Sequence, residues 1–167
     1  MINCFLDTTY LMPLFQLDIT IEGFEEEFHE IFQSGRFYFL FSPVSILEIK
    51  WQIIKLSKSG HSIDELEKAS SRALRTIQKT EQFKLVNFVD EAINSVSFEL
   101  RKQGHNDLFD TIILGSALST AAIFVTEDEP LRKVLKKYEQ LTVNSEKRAR
   151  LETHDWRSFV KMFKSME

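Results

Sequence analysis

The stretch from His105 to Pro130, HNDLFDTIILGSALSTAAIFVTEDEP, restricts the possible folds more than any other part of the chain. It opens on polar and acidic residues at Asn106 and Asp107. It then turns apolar and small through Ile112, Ile113, Leu114, Ala117, Leu118 and Ala121. A β-branched run, Ile123-Phe124-Val125-Thr126, follows at once, and Glu127, Asp128 and Glu129 close it. This pattern predicts a helix, a tight turn, a buried strand and a second helix opened by Pro130. Asp110 then lies near a helix start and Asp128 at the tip of a strand. A layered α/β chain that brings those two ends together holds two carboxylates at one spot.

The rest of the chain repeats the alternation. Ile2 to Leu6 reads as a buried strand whose tip carries Asp7. Ile21, Phe24, Phe28, Ile31 and Phe32 recur at helical spacing, with Gly35 placed to end the helix. Phe37 to Phe41 is an unbroken apolar run, the mark of a strand covered on both faces. Ser42-Pro43 starts a helix over Val44–Lys58 that is apolar on much of its circumference. A loop over 57–62 precedes a charged helix over Ile63–Lys79. Phe83 to Phe88 alternates like a half-buried strand. Asp90 caps a helix that ends at Gly104. Beyond Pro130 come a basic helix to about Glu139, an edge strand around Leu141–Val143, and a final segment with Trp156, Phe159 and Phe163. Strands separated by helices require right-handed crossovers. The expected fold is therefore α/β: a three-layer α/β/α sandwich around a mostly parallel sheet of about five strands.

A length of 167 residues fits one domain, 1–167, with a substantial core. With 43% hydrophobic residues and only 5 Gly and 3 Pro, disordered and fibrous folds are excluded. No apolar run approaches the ~18 residues of a membrane span, and the lone Cys4 makes no internal disulfide, so a cytoplasmic location is the expectation. The net charge of -4 argues against a general polyanion-binding surface. The charge is uneven, however. Residues 1–50 hold eight acids and two bases, whereas 131–150 hold seven bases (Arg132, Lys133, Lys136, Lys137, Lys147, Arg148, Arg150) and two acids. Solvated helix faces account for most such runs; a phosphate-binding flank, joined by Arg101 and Lys102, is the sharper alternative.

In parallel sheets, sites form beyond the carboxyl ends of the strands. Asp7 and Asp128 belong at such ends, and Glu48 and Asp110 fall on helices able to lean over them. Four converging carboxylates repel one another, and a hard divalent cation such as Mg2+ or Mn2+ relieves that conflict. Each acid also has a plainer role. Asp7 could cap a turn through Thr8 and Thr9, and Asp128 the helix after it; for both, the strand-tip position favours the site. A salt bridge would satisfy Glu48, which shares a helix face with Val44 and Trp51. Asp107 is read as a cap or outer-shell acid, a capping role open also to Asn106. Glu127 and Glu129 read as solvated.

With these residues in view, the sequence resembles the PIN-domain nucleases typified by VapC-like toxins. The resemblance rests on FLDTTYLM at 5–12, SPVSILEI at 42–49, FDTIILGSAL at 109–118 and FVTED at 124–128. Each motif alone is weak, but the four in order cover nearly the whole chain. The resemblance implies Asp7, Glu48, Asp110 and Asp128 as catalytic and metal-binding residues, with Thr126, Thr8 and Asp107 in support. It further implies an endoribonuclease dependent on Mg2+ or Mn2+, of toxin-antitoxin or RNA-processing type. The expected partners are RNA, a cognate antitoxin-like inhibitor protein and a second copy in a homodimer. One departure is the extra length around Ile63–Lys79, which separates this chain from the compact toxins.

Other chemistries find less support. The four histidines lack metal-ligand spacing, and no glycine-rich phosphate loop follows a strand. A phosphotransfer receiver needs a paired acid and a lysine that have no convincing place here. A catalytically silent PIN-like scaffold for RNA or assembly stands as the alternative.

Overall fold

Side-chain alternation in the strands divides the protein into two cores. In β1 (Ile2–Leu6), Cys4 and Leu6 point to one side and Phe5 to the other. β2 (Phe37–Phe41) sends Phe37, Phe39 and Phe41 to the side of Cys4 and Leu40 to that of Phe5. A strand buried on both faces needs helices above and below it. The computed structural model, which describes residues 1–142 and 151–166, has that arrangement. Its five strands are all parallel, in the order β3-β2-β1-β4-β5, with β3 at Phe83–Leu85, β4 at Ile123–Val125 and β5 at Glu152–His154. The fold is a three-layer α/β/α sandwich.

One face carries a 3-10 helix (Thr8–Phe15), α1 (Phe24–Gln33), α2 (Pro43–Lys58), α3 (Ile63–Lys79) and α7 (Trp156–Lys164). The other carries α4 (Glu91–Lys102), α5 (Leu108–Thr120) and α6 (Glu129–Thr142). The helices start where capping side chains stand. Ser42 Oγ accepts from Val44 N at 3.2 Å, with Pro43 in the first turn, and Asp90 Oδ1 accepts from Ala92 N at 2.9 Å. α4 and α5 lie very close together. A Cβ added to Gly115 would stand 2.6 Å from Ser97 Oγ and 3.0 Å from the Ile93 carbonyl oxygen.

Two sequence expectations are corrected. The half-buried strand read over Phe83–Phe88 stops at Leu85. The edge strand expected around Leu141–Val143 is not there: Leu141 and Thr142 belong to α6, whose buried Leu131, Leu135 and Tyr138 continue a helical period, and Val143 lies outside the described residues. The fifth strand is Glu152–His154 instead. Since β1 pairs with β2 on one side and β4 on the other, strand order reverses at β1, the position beside which sites form in parallel sheets.

Candidate active site

Asp7 follows β1 directly, and its N–H donates to the Val125 carbonyl at 3.1 Å, so the end of β4 fixes its position. Asp7 Oδ1 accepts from Thr8 N at 2.7 Å and caps the 3-10 helix; Oδ2 accepts from Thr126 Oγ1 at 2.5 Å. Burial pushes this carboxyl up to about 6, against the pull of both hydrogen bonds, and the charges of Asp110 and Asp128 push the same way. Thr126 is completely buried, and its oxygen also accepts from Asp128 N at 3.0 Å. One hydroxyl therefore ties the two strand-tip acids together. Asp128 Oδ1 in turn accepts from Leu131 N at 2.7 Å, so this side chain performs the capping role that the sequence left open.

The other two acids reach the same rim from helices. Glu48 lies in α2, where the Thr8 hydroxyl donates to its Oε2. Burial raises its affinity for a proton, as do the charges of Asp7, Asp110 and Asp107. Val44, on the same helix, is buried, but Trp51 is 56% exposed, so Glu48 marks the boundary of the core rather than a face buried throughout. Asp110, in the first turn of α5, is raised chiefly by burial and then by Asp107; His105, whose Nε2 lies 3.3 Å from Asp110 Oδ2, pulls it back. Asp107 caps α5, with Oδ1 accepting from Phe109 N at 2.8 Å and Asp110 N at 3.2 Å. Asp7, Glu48, Asp110 and Asp128 thus share one rim, each linked to at least one of the others by mutual repulsion.

The donor chemistry of this set is all oxygen, which suits Mg2+ or Mn2+. The spacing does not form a closed cage. Among the described residues, no group of three or more His, Cys, Asp or Glu is drawn tightly enough to hold an ion as it stands. Two concavities, of about 240 and 820 Å³, contain none of the four carboxylates.

Several contacts escaped the sequence. Glu127 is exposed, as expected, yet its Oε1 accepts from Tyr10 Oη and from Trp156 N, each at 2.9 Å. Trp156 Nε1 donates to Glu27 Oε2 at 2.7 Å. The residue beside Asp128 is thereby clamped to the 3-10 helix that Asp7 caps and to the start of α7. The cations of α6 and α4 that looked free are largely engaged. Arg132 pairs with Asp155 at 3.2 Å and Lys133 with Glu129 at 2.8 Å. Lys102 pairs with Glu99 at 2.6 Å, and Lys137 Nζ donates to the Gln103 carbonyl at 3.4 Å. Lys147, Arg148 and Arg150 lie outside the described residues.

A family model described as PIN domain matches residues 4–137. Comparison with curated proteins finds no match. Among solved structures, the chain is similar to VapBC2 from Rickettsia felis bound to a DNA fragment from their promoter. The identity is 11% and the TM-score 0.61, over 92% of this chain and 98% of that one. It is also similar to DNA-bound VapBC from Salmonella typhimurium, at 18% identity and a TM-score of 0.52, over 93% and 99%. At such identities the likeness speaks for the fold alone.

Proposed function

The chain belongs to the PIN-domain family, and from that premise we propose that it is an endoribonuclease dependent on Mg2+ or Mn2+, acting as one domain over residues 1–167. The observation that carries this reading is the convergence of Asp7, Glu48, Asp110 and Asp128 at the strand-order reversal, each within electrostatic reach of at least one other. Buried, mutually repelling carboxylates bind protons more readily than usual, and cations of matching charge relieve the same repulsion. When bound, a divalent cation supplies neutralisation of the phosphoryl charge that develops during in-line displacement. Asp7 and Asp128 would hold it from the strand tips, and Glu48 and Asp110 from the helices. Thr126 and Thr8 fix the orientation of Asp7 and Glu48 by donating to them. Asp107 keeps the first turn of α5 in place.

Both solved neighbours are VapBC complexes, which supports a cognate antitoxin-like inhibitor protein as partner and a toxin-type role. The reading extends to a homodimer in the cytoplasm; among the described residues, no helix is long and apolar enough to cross a membrane. The test is cleavage of single-stranded and structured RNA with Mn2+, Mg2+ or EDTA. Asp7→Asn and Asp110→Asn should each lower the rate by at least roughly a hundredfold. Activity equal to wild type in either variant, or activity that persists in EDTA, removes the assignment.

The open spacing of the acids favours one second reading, a silent PIN-like scaffold. It expects RNA binding that ignores EDTA and survives Asp110→Asn, with no cleavage under any of these conditions.

A further inference from the structure

Helix α2 buries one face and leaves a chemically mixed face open. Ile49 and Ile53 are 0% and 7% exposed, whereas Leu47, Trp51 and Ile54 are 54%, 56% and 43% exposed. The second tryptophan, Trp156, is fully buried. Large apolar side chains left open beside a candidate site mark a binding surface. Lysines surround this one. Lys50, Lys55 and Lys58 are exposed, and none forms an ion pair among the described residues; Lys55 Nζ stands 5.8 Å from the centre of the Trp51 ring. Arg132 and Lys133 on α6, in contrast, spend their charge on Asp155 and Glu129.

The position of this face matters as much as its composition. Trp51 lies three residues beyond Glu48, about 4.5 Å further along the helix axis. On the opposing element Phe109, 41% exposed, immediately precedes Asp110. An exposed indole flanked by unpaired ammonium groups and adjoining a carboxylate cluster suits a polyanion whose bases are free to stack. A duplex keeps its bases stacked on each other and offers the indole only phosphates.

We propose that this face of α2 is a binding track for unpaired RNA, with a base stacked on Trp51 and phosphates held by Lys50, Lys55 and Lys58. The proposal rests on the ribonuclease reading and assigns the residues that receive the strand beside its site. The experiment titrates metal-free protein in EDTA into a short dye-labelled unstructured oligoribonucleotide and into a blunt RNA duplex of the same sequence, reading affinity for every variant by fluorescence anisotropy and, for wild type, the quenching of tryptophan emission. The single strand should quench the exposed Trp51, and the duplex should bind more weakly with little quenching. Trp51→Phe should bind within a few-fold of wild type, and Trp51→Ala on the order of tenfold more weakly, with unchanged melting. Equal binding by Trp51→Ala overturns the track. So does a Trp51→Ala variant that keeps its RNA affinity but sediments as a smaller species, which would give the face to a second copy of the chain. If wild type and Trp51→Ala cut RNA equally in Mn2+ and bind it equally in EDTA, the nuclease reading survives and the track does not. A wild type that neither binds nor cuts removes both.

Discussion

The two faces of the sheet are built from different materials. One is an aromatic slab in which Tyr10, Phe24, Phe28, Phe39 and Trp156 lie ring against ring, with Phe24 and Trp156 centroids 4.5 Å apart. The other is aliphatic and small, with Ile93, Val96, Ile113, Leu114 and Ala117 letting α4 and α5 approach until Gly115 has no room for a Cβ. The two halves of the acid set inherit this difference. Tyr10 brings a polar handle as well as bulk: its hydroxyl, together with the Trp156 backbone N–H, holds Glu127 and so clamps the loop that carries Thr126 and Asp128. Among the described residues Asp110 has no cross-link of that range: His105 stands 3.3 Å away, Ser97 Oγ ties the helix to α4 by donating to the Thr111 carbonyl at 2.9 Å, and the rest depends on how closely the helix is seated. One half of the site is held by hydrogen bonds across a thick layer, the other by backbone proximity.

Breaking the aromatic half should have the largest effect. Trp156→Ala leaves a cavity in the slab and takes the indole donor from Glu27, so a loss of about 3–5 kcal/mol is expected in urea unfolding. Tyr10→Phe, which removes the side-chain donor to Glu127, tests the clamp itself: if it binds Mn2+ as wild type does in calorimetry, the clamp does not orient the strand-tip acids.

The next effect separates the acids by pH. Folding raises the Asp7 carboxyl from 3.8 to about 6. As pH rises, the unfolded chain releases this proton first, so the folded state is favoured below pH about 4 and loses that advantage as pH passes through about 6. The loss is at most about 3 kcal/mol. Metal-free Asp7→Asn should therefore melt above wild type near neutrality, with the gap closing below pH about 4. A gap independent of pH would refute the burial account. Mn2+ should raise the wild-type melting temperature and leave that of the variant nearly unchanged.

The small-residue face should respond least in energy but most specifically. Gly115→Ala gains helix propensity yet drives a Cβ against Ser97 Oγ and the Ile93 carbonyl, for a net cost of about 1–3 kcal/mol. Ser97→Ala by itself loses the bond from Ser97 Oγ to the Thr111 carbonyl, so the double variant should melt above the sum of the two single losses, because the Oγ contact goes and the Ile93 carbonyl contact stays. Full tolerance of Gly115→Ala would show that α4 and α5 can separate without penalty.

Legibility in the sequence followed the range of the interaction. β1, β2 and β4 announced themselves as apolar runs, and Ser42, Asp90 and Asp107 as caps within a few residues of their helices. β5 could not be read, because three polar residues, Glu152–His154, join the sheet only through pairing with β4. The four acids were readable as types at strand tips and helix starts; the Glu127 clamp was not, since its partners Tyr10 and Trp156 stand 117 and 29 residues away. Helical periodicity marked α2 as largely apolar without showing which apolar residues the neighbouring elements would leave open, and Trp51 was one of them.

The bond between Thr126 and Asp7 spans 119 residues. During synthesis, Asp7 leaves the ribosome early and waits for β4 to emerge before it acquires the hydroxyl and the neighbouring strand that set its orientation. A chain cut short anywhere before Thr126 carries the first aspartate with only the local bond from Thr8 N to hold it. An unfinished copy therefore lacks the assembled rim of four acids until most of the protein has been made.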